Sequence, residues 1–274
     1  MSELVDRWSM LHGHTLTDGE NRKRLLLLLA EELGDPIAMQ LTAHQYTEYR
    51  AKQLAQGANG KTLNNRLGYL RAVYNELHQL GDIDYANPLQ RVKLLKLQER
   101  ELTWLTEVQI RTLFEAIRER CRTPHVEMVA RVCLATGARW GEAEGLAPER
   151  VRGGYVTFVN TKSKRARSVP IDKALEKKLL AHFTAHGLFS NCRNSFDQTI
   201  KSCITLPPGQ ASHVLRHTFA SHFMMNGGNI LTLQKILGHA SLAMTMRYAH
   251  LSPDHLQDAV KLGPLRRLST LFRH

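Results

Sequence analysis

Four separated segments of this 274-residue chain carry side chains whose types and spacing suit anion or acid–base chemistry. In Ala135-Thr136-Gly137-Ala138-Arg139-Trp140-Gly141-Glu142-Ala143, glycines on both sides of Arg139 interrupt the backbone and put the arginine at a helix end. Glu142, three residues on, can hold either the local backbone or the arginine itself. The second segment, Thr161-Lys162-Ser163-Lys164-Arg165-Ala166-Arg167, presents four cations between two strand candidates, an arrangement that is either solvated or bound to an anion. In the third, His213-Val214-Leu215-Arg216-His217, His213 and Arg216 share a helix face. His213 and His217 have the spacing of a zinc helix, but Val214 stands where that motif needs glutamate. The fourth joins Leu237-Gly238-His239 to Met244-Thr245-Met246-Arg247-Tyr248-Ala249-His250, with Tyr248 closing a short amphipathic helix. Taken singly, Arg139 reads as a salt-bridged surface residue, the basic loop as solvated, and Tyr248 as an aromatic packed on Leu242 and Met246.

The bulk composition narrows what these segments meet. Lysine and arginine (37) outnumber aspartate and glutamate (25), for a formal charge of +12, and a globular chain this basic ordinarily binds a polyanion, most commonly nucleic acid. Hydrophobic content of 43% with 23% charged residues excludes bulk disorder. The apolar run Leu25–Leu29 is too short to span a membrane, and Ala30-Glu31-Glu32 after it offers no leader-cleavage site, so a cytoplasmic protein is expected. Cys121, Cys133, Cys192 and Cys203 form no C-x-x-C pair, which argues against a zinc ribbon or a disulfide framework and for reduced, mostly buried thiols.

Two regions are expected to position the four segments. Residues 1–98 read as a helical domain: Asn21–Leu33 stops at Gly34, Thr42–Gln56 begins on a capping threonine and ends before Gly57, and Lys61–Leu80 stops at Gly81. Leu63, Leu67, Leu70, Val73, Tyr74 and Leu77 give the last helix an apolar stripe. Its other face carries Lys61, Asn64, Asn65, Arg66 and Arg71, either solvated or in contact with nucleic acid. Residues 91–104 are charged and weakly patterned, as a linker. A second domain, 105–274, starts at a capping box formed by Thr106 and Gln109. Its pattern predicts helices near 107–120, 124–136, 172–185, 211–226, 230–237, 241–248 and 253–261. A small antiparallel sheet is expected from the turn Arg152-Gly153-Gly154, the run Tyr155–Val159 and Arg167–Pro170. The fold class is therefore mainly α with a small antiparallel β-sheet in the second domain.

The order Arg139, Lys162, His213-x-x-Arg216, Gly238-His239 and Tyr248 resembles the tyrosine recombinase, or phage-type integrase, family. That family carries an arginine in T-G-x-R-x-x-E, a lysine in a β-hairpin, H-x-x-R, a histidine in L-G-H, and a nucleophilic tyrosine. The wording of 136–142 and of 215–223 looks closest to integrases of temperate bacteriophages of enteric bacteria. The likeness covers roughly 105–260 strongly, and 1–100 only by helical character, like the family's core-binding domain. It implies a two-domain DNA clamp that cleaves and rejoins strands through a 3′-phosphotyrosine on Tyr248, integrating or excising a mobile element without metal, ATP or other cofactor.

The residue types fit the implied reaction. Phosphoryl transfer builds charge on non-bridging oxygens, which the guanidinium forks of Arg139 and Arg216 can clamp. A phenol near arginines is easier to ionise, and His213 is placed to take or share its proton. The resemblance makes Lys162 the acid for the leaving 5′-oxygen, with Lys164 as the fallback, and makes His239 a hydrogen-bond donor to the phosphate; Lys164 and Arg165 join the DNA contacts. It further implies double-stranded attachment sites as substrate, and a tetramer in the synapse (a monomer or a dimer when free) linked through the tail 251–274, chiefly Leu251–Leu262. Accessory DNA-bending proteins of host or phage, and action in a bacterial cell, belong to the same picture. The chain begins almost directly at core-binding helices, so an arm-binding domain is expected either to have been trimmed or to be dispensable. A Xer-like resolvase, a type IB topoisomerase and a non-catalytic DNA-binding protein are the competing readings.

Overall fold

The computed structural model describes residues 1–97, 102–159, 166–207 and 210–253. It divides into two compact units, Met1–Arg100 and Glu101–His274. The first is built from α1 (Ser2–Leu11), α2 (Gly19–Glu32), α3 (Ala43–Ala55) and α4 (Gly60–Gln79). Thr42 caps α3 as its pattern predicts: the hydroxyl accepts the Gln45 amide at 3.2 Å, and the Gln45 side chain accepts the Thr42 amide at 2.9 Å. All six stripe residues of α4 are buried, Leu67, Leu70, Val73, Tyr74 and Leu77 in one cluster with Trp8, Leu26, Leu29 and Tyr46. Burying each such leucine contributes about 1.5–3 kcal/mol. Helix α1 was not foreseen, although Leu4, Val5 and Trp8 have the spacing of one buried face.

The second unit opens on the expected capping box at Thr106 and continues through α5 (Glu107–Arg120), α6 (His125–Thr136) and α7 (Trp140–Glu144). The sheet follows, β1 (Val151–Arg152), β2 (Tyr155–Phe158) and β3 (Arg167–Pro170), antiparallel throughout, in the order β1-β2-β3. Gly153 and Gly154, at φ 63° and 78°, make the tight turn that the glycine pair announced. Then come α8 (Lys173–His186), α9 (Arg193–Cys203), α10 (Ala211–Met225), α11 (Ile230–Leu237) and α12 (Ala243–Met246). Helix α9 was missed because its sequence is mostly polar; its buried face is only Phe196, Thr199 and Ile200. A core of α5, α6, α9, the sheet and the buried side of α10 supports the unit, and Trp140 of α7 stacks on Phe196 at 4.4 Å. Next to it, His125 and His182 are buried with ring nitrogens 2.9 Å apart. Burial first, then His125 and His186, lowers His182 to about 4.

Two local expectations need correction. Gly141 does not interrupt the backbone, because α7 runs through it from Trp140. The helix expected over 241–248 is only Ala243–Met246, and Tyr248 follows it in the turn leading to a 3₁₀ segment at Ala249–Leu251. The helix expected over 253–261 falls almost wholly outside the described residues, as does the tail from 254 onward. Among the described residues no helix is long and apolar enough to cross a membrane. All four cysteines are free, with Cys133 and Cys192 buried.

Candidate active site

The site is assembled from chain breaks that end helices. Gly137 caps α6 in the left-handed conformation, φ 65°, and a β-carbon there would lie 2.6 Å from both Leu237 and Phe219. Glycine is therefore required twice over, by conformation and by space. Two residues later Arg139 precedes the first turn of α7. The Glu142 carboxylate accepts its backbone amide at 2.9 Å through Oε2, and its Nη1 at 2.9 Å through Oε1. Both roles foreseen for Glu142 are thus filled at once.

Arg216 lies on the buried side of α10 and is only 5% exposed. Nη1 donates to the Gly137 carbonyl and Nη2 to the Leu237 carbonyl, both at 2.8 Å. One guanidinium thereby ties together the ends of α6 and α11, each two residues before another candidate, Arg139 and His239. Burial first, then the neighbouring charge of Arg139, lowers the Arg216 guanidinium to about 10. A buried cation held by neutral carbonyls and crowded by like charge is a standing attraction for an anion. Helix α11 ends in Gly238 at φ 65°, turning His239 back so that its Nδ1 lies 2.8 Å from Thr245 Oγ1. Burial and then the field of Arg216, Arg139, Arg247 and Arg167 lower His239 to about 4.

Tyr248 is 1% exposed and packs in a cluster with Ala220, Met224, Leu233 and Leu237. Leu242 and Met246, the partners anticipated for it, are 37% and 50% exposed. Its hydroxyl lies 2.6 Å from His217 Nδ1. Burial raises the phenol above its ordinary 10.0, with Arg247 and Arg216 pulling the other way. Burial first, then Arg247, His213 and Arg216, lowers His217 to about 4. With the phenol raised and the imidazole lowered, the proton rests on the oxygen and the phenol donates to a neutral imidazole. Sequence reasoning assigned the tyrosine's proton to His213, which is exposed on α10, whereas the hydroxyl's hydrogen-bond partner is His217. The available signal was helical spacing: His213 and His217 are one turn apart, and only packing decides which reaches the phenol.

Arg167 closes the basic segment and opens the expected strand Arg167–Pro170, but its part in the site was not foreseen. It is the first residue of β3, opposite Phe158 in the ladder, with its guanidinium over that ring at 4.8 Å. It grips both Glu142 oxygens, at 2.7 and 3.2 Å, and donates to the Ile236 carbonyl at 2.8 Å. Lys162, Lys164 and Arg165 lie outside the described residues. In the first unit, three of the five residues assigned to DNA contact are occupied internally. Asn64 exchanges hydrogen bonds with the backbone of Leu95 at 2.9 and 3.0 Å. Arg66 pairs with Glu32 at 2.6 Å and with the Tyr49 hydroxyl. Arg71 donates to the carbonyls of Leu89, Gln90 and Val92. Lys61 and Asn65 are exposed.

The Arg216 bonds thus bring the Arg139 and His239 turns together, in a mostly helical unit that also buries Tyr248. Residues 1–96 match the N-terminal domain of phage integrases and residues 103–255 match the phage integrase family. The integrase of Escherichia phage 186 is 46% identical over 275 residues, covering 97% of this chain and 81% of that protein. The integrase of Haemophilus phage HP1 is 46% identical over 274 residues, covering 97% and 80%. A tyrosine recombinase of Pseudothermotoga lettingae is 27% identical over 284 residues, covering 95% and 98%. Among solved structures, the catalytic domain of bacteriophage HP1 integrase superposes with TM-score 0.55 at 47% identity, over 61% of this chain and 98% of that one. The Tn1549 transposon integrase, solved with transposon right end DNA, shares the fold, with TM-score 0.73 at 18% identity over 98% and 99%. The chain belongs to the phage integrase family. It is a site-specific tyrosine recombinase, an enzyme of DNA recombination and integration.

Proposed function

We propose that Tyr248 is the nucleophile and that Arg139, Arg216 and His239 hold the scissile phosphate. The phenol oxygen attacks phosphorus; the new P–O bond forms as the bond to the 5′-oxygen breaks, and that oxygen leaves as a hydroxyl with a proton from Lys162. The two guanidinium forks take the non-bridging oxygens as charge builds on them. As the P–O bond forms, the phenol's proton passes to His217, its hydrogen-bond partner, and from there by way of the exposed His213, whose charge is felt at His217, to solvent. Because the phosphotyrosine is itself a phosphodiester, a 5′-hydroxyl of a second strand can attack it and complete strand exchange. The observation that carries this reading is the Arg216 tether, which brings the Arg139 and His239 turns to one buried cation in the domain that also buries Tyr248.

The substrate is double-stranded DNA at attachment sites, within the cytoplasm of a bacterial cell. The two units close on the duplex as a clamp, with Lys61, Asn65, Lys164 and Arg165 contributing phosphate contacts. Four protomers work in the synapse, joined by exchange of the segment after Tyr248, with DNA-bending accessory proteins assisting. The test is a nicked suicide substrate carrying the attachment site. Wild-type protein should accumulate a covalent adduct, and Tyr248→Phe should bind the same DNA without forming one. Adduct formation by Tyr248→Phe would refute the assignment.

A further inference from the structure

We propose that Arg167 is a positioning residue for strand cleavage: by sharing the Glu142 carboxylate with Arg139 and fastening the Ile236 carbonyl, it keeps Arg139 aligned and the charge facing the phosphate net positive. The inference rests on the reading above, in which Arg139 contacts that phosphate.

Glu142 is only 5% exposed as a side chain, and it is the one acidic group bonded to Arg139 among the described residues. If the two formed an isolated pair, the carboxylate would neutralise the guanidinium that must meet the phosphate. Arg167, itself 9% exposed, takes the stronger share: its Nη2 is 2.7 Å from Oε2 and its Nη1 3.2 Å from Oε1. The three-residue cluster then carries one net positive charge, and Arg216 beside it adds a second. The carboxylate keeps its mechanical task, holding the Arg139 amide and Nη1.

The same guanidinium reaches two other segments. Nε donates to Ile236 at 2.8 Å, one residue before the carbonyl that holds Arg216. A β-carbon on Gly238 would lie 3.1 Å from Arg167 Cδ, so the turn that presents His239 rests on this side chain. Arg167 also forms, with Phe158, the last ladder pair before the 159–166 connection that bears Lys162. Displacing reacting groups by about 1 Å can cost on the order of 100-fold in rate, so loss of this three-way contact should be visible in chemistry rather than in binding.

The experiment measures single-turnover adduct formation on the suicide substrate, DNA affinity by fluorescence anisotropy, and folding by thermal melting. Arg167→Met should lower the cleavage rate by on the order of 100-fold while affinity changes less than about threefold. Adding Glu142→Gln to Arg167→Met should recover at least about tenfold, because the surplus negative charge is removed while an acceptor for Arg139 remains. A double variant no faster than Arg167→Met would overturn the charge-sharing role, since a merely structural contact gives no rescue. If Arg167→Met does not fold, Arg167→Lys carries the test: it keeps the charge but cannot fork between Glu142 and Ile236. It should lose about tenfold in rate at unchanged affinity, and wild-type cleavage by it would also overturn the proposal. Arg139→Ala is run alongside. Wild-type cleavage by that variant would sink the reading of the site itself, whereas normal cleavage by Arg167 variants with a dead Arg139→Ala sinks only this inference.

Discussion

Arg71 in the first unit and Arg216 in the second make similar hydrogen bonds to different ends. Each donates from one guanidinium to backbone carbonyls at helix or loop ends, Arg71 to Leu89, Gln90 and Val92, Arg216 to Gly137 and Leu237. Arg71 acts as a staple that fixes the segment after α4 against the helix. Arg216 is more deeply buried, lowered to about 10, and crowded by Arg139 and Arg167. A staple needs only neutral acceptors, whereas a cation pushed against other cations keeps electrostatic strain that an anion relieves. Carbonyl bonding is common to both arginines; the company of like charge sets Arg216 apart.

The comparison breaks if exchanging these arginines has similar consequences. Arg216→Lys should cut adduct formation by on the order of 100- to 1,000-fold or more, because one ammonium cannot bridge two carbonyls and still present a fork to phosphate. Retained cleavage at saturating DNA would remove Arg216 from the clamp. Arg71→Met should instead lower stability in urea by about 2 kcal/mol, through three carbonyls losing a charged donor, and leave the cleavage rate of folded protein within about threefold.

A smaller effect separates the units by pH. His182, His217 and His239, all in the second unit, are lowered to about 4. The unfolded chain takes up these protons from about pH 6.5 downward while the folded unit refuses them until about 4. Stability should therefore fall as pH drops through that window, by at most about 1.4 kcal/mol per pH unit per histidine. His182→Phe should flatten the slope without touching cleavage; an unchanged slope would mean that histidine is protonated in the folded state. The smallest change is expected at Lys61: Lys61→Ala should weaken DNA binding less than about tenfold and reduce the salt dependence by about one ion. No change in salt dependence would assign that exposed lysine to solvent.

The capping boxes at Thr42 and Thr106, the apolar stripe of α4 and the glycine turn at 153–154 were legible because helix starts and tight turns depend on residues within a few positions. The polar helix α9 was not, since its burial depends on Trp140 and the α5 face, far away in sequence. The candidate site was readable as an ordered set of residues, Arg139, Arg216, His239 and Tyr248, with Glu142 rightly placed beside Arg139.

Sequence by itself determined which side chains are available and where helices must end, because both are local properties of residue type and backbone freedom. Only the tertiary structure decided which histidine meets Tyr248, which arginines are staples, and that Arg167 shares Glu142 with Arg139. Those outcomes turn on groups 18 to 79 residues apart in the chain. A hydrogen bond or a buried charge takes its worth from what packs around it, and no run of neighbouring residues encodes that.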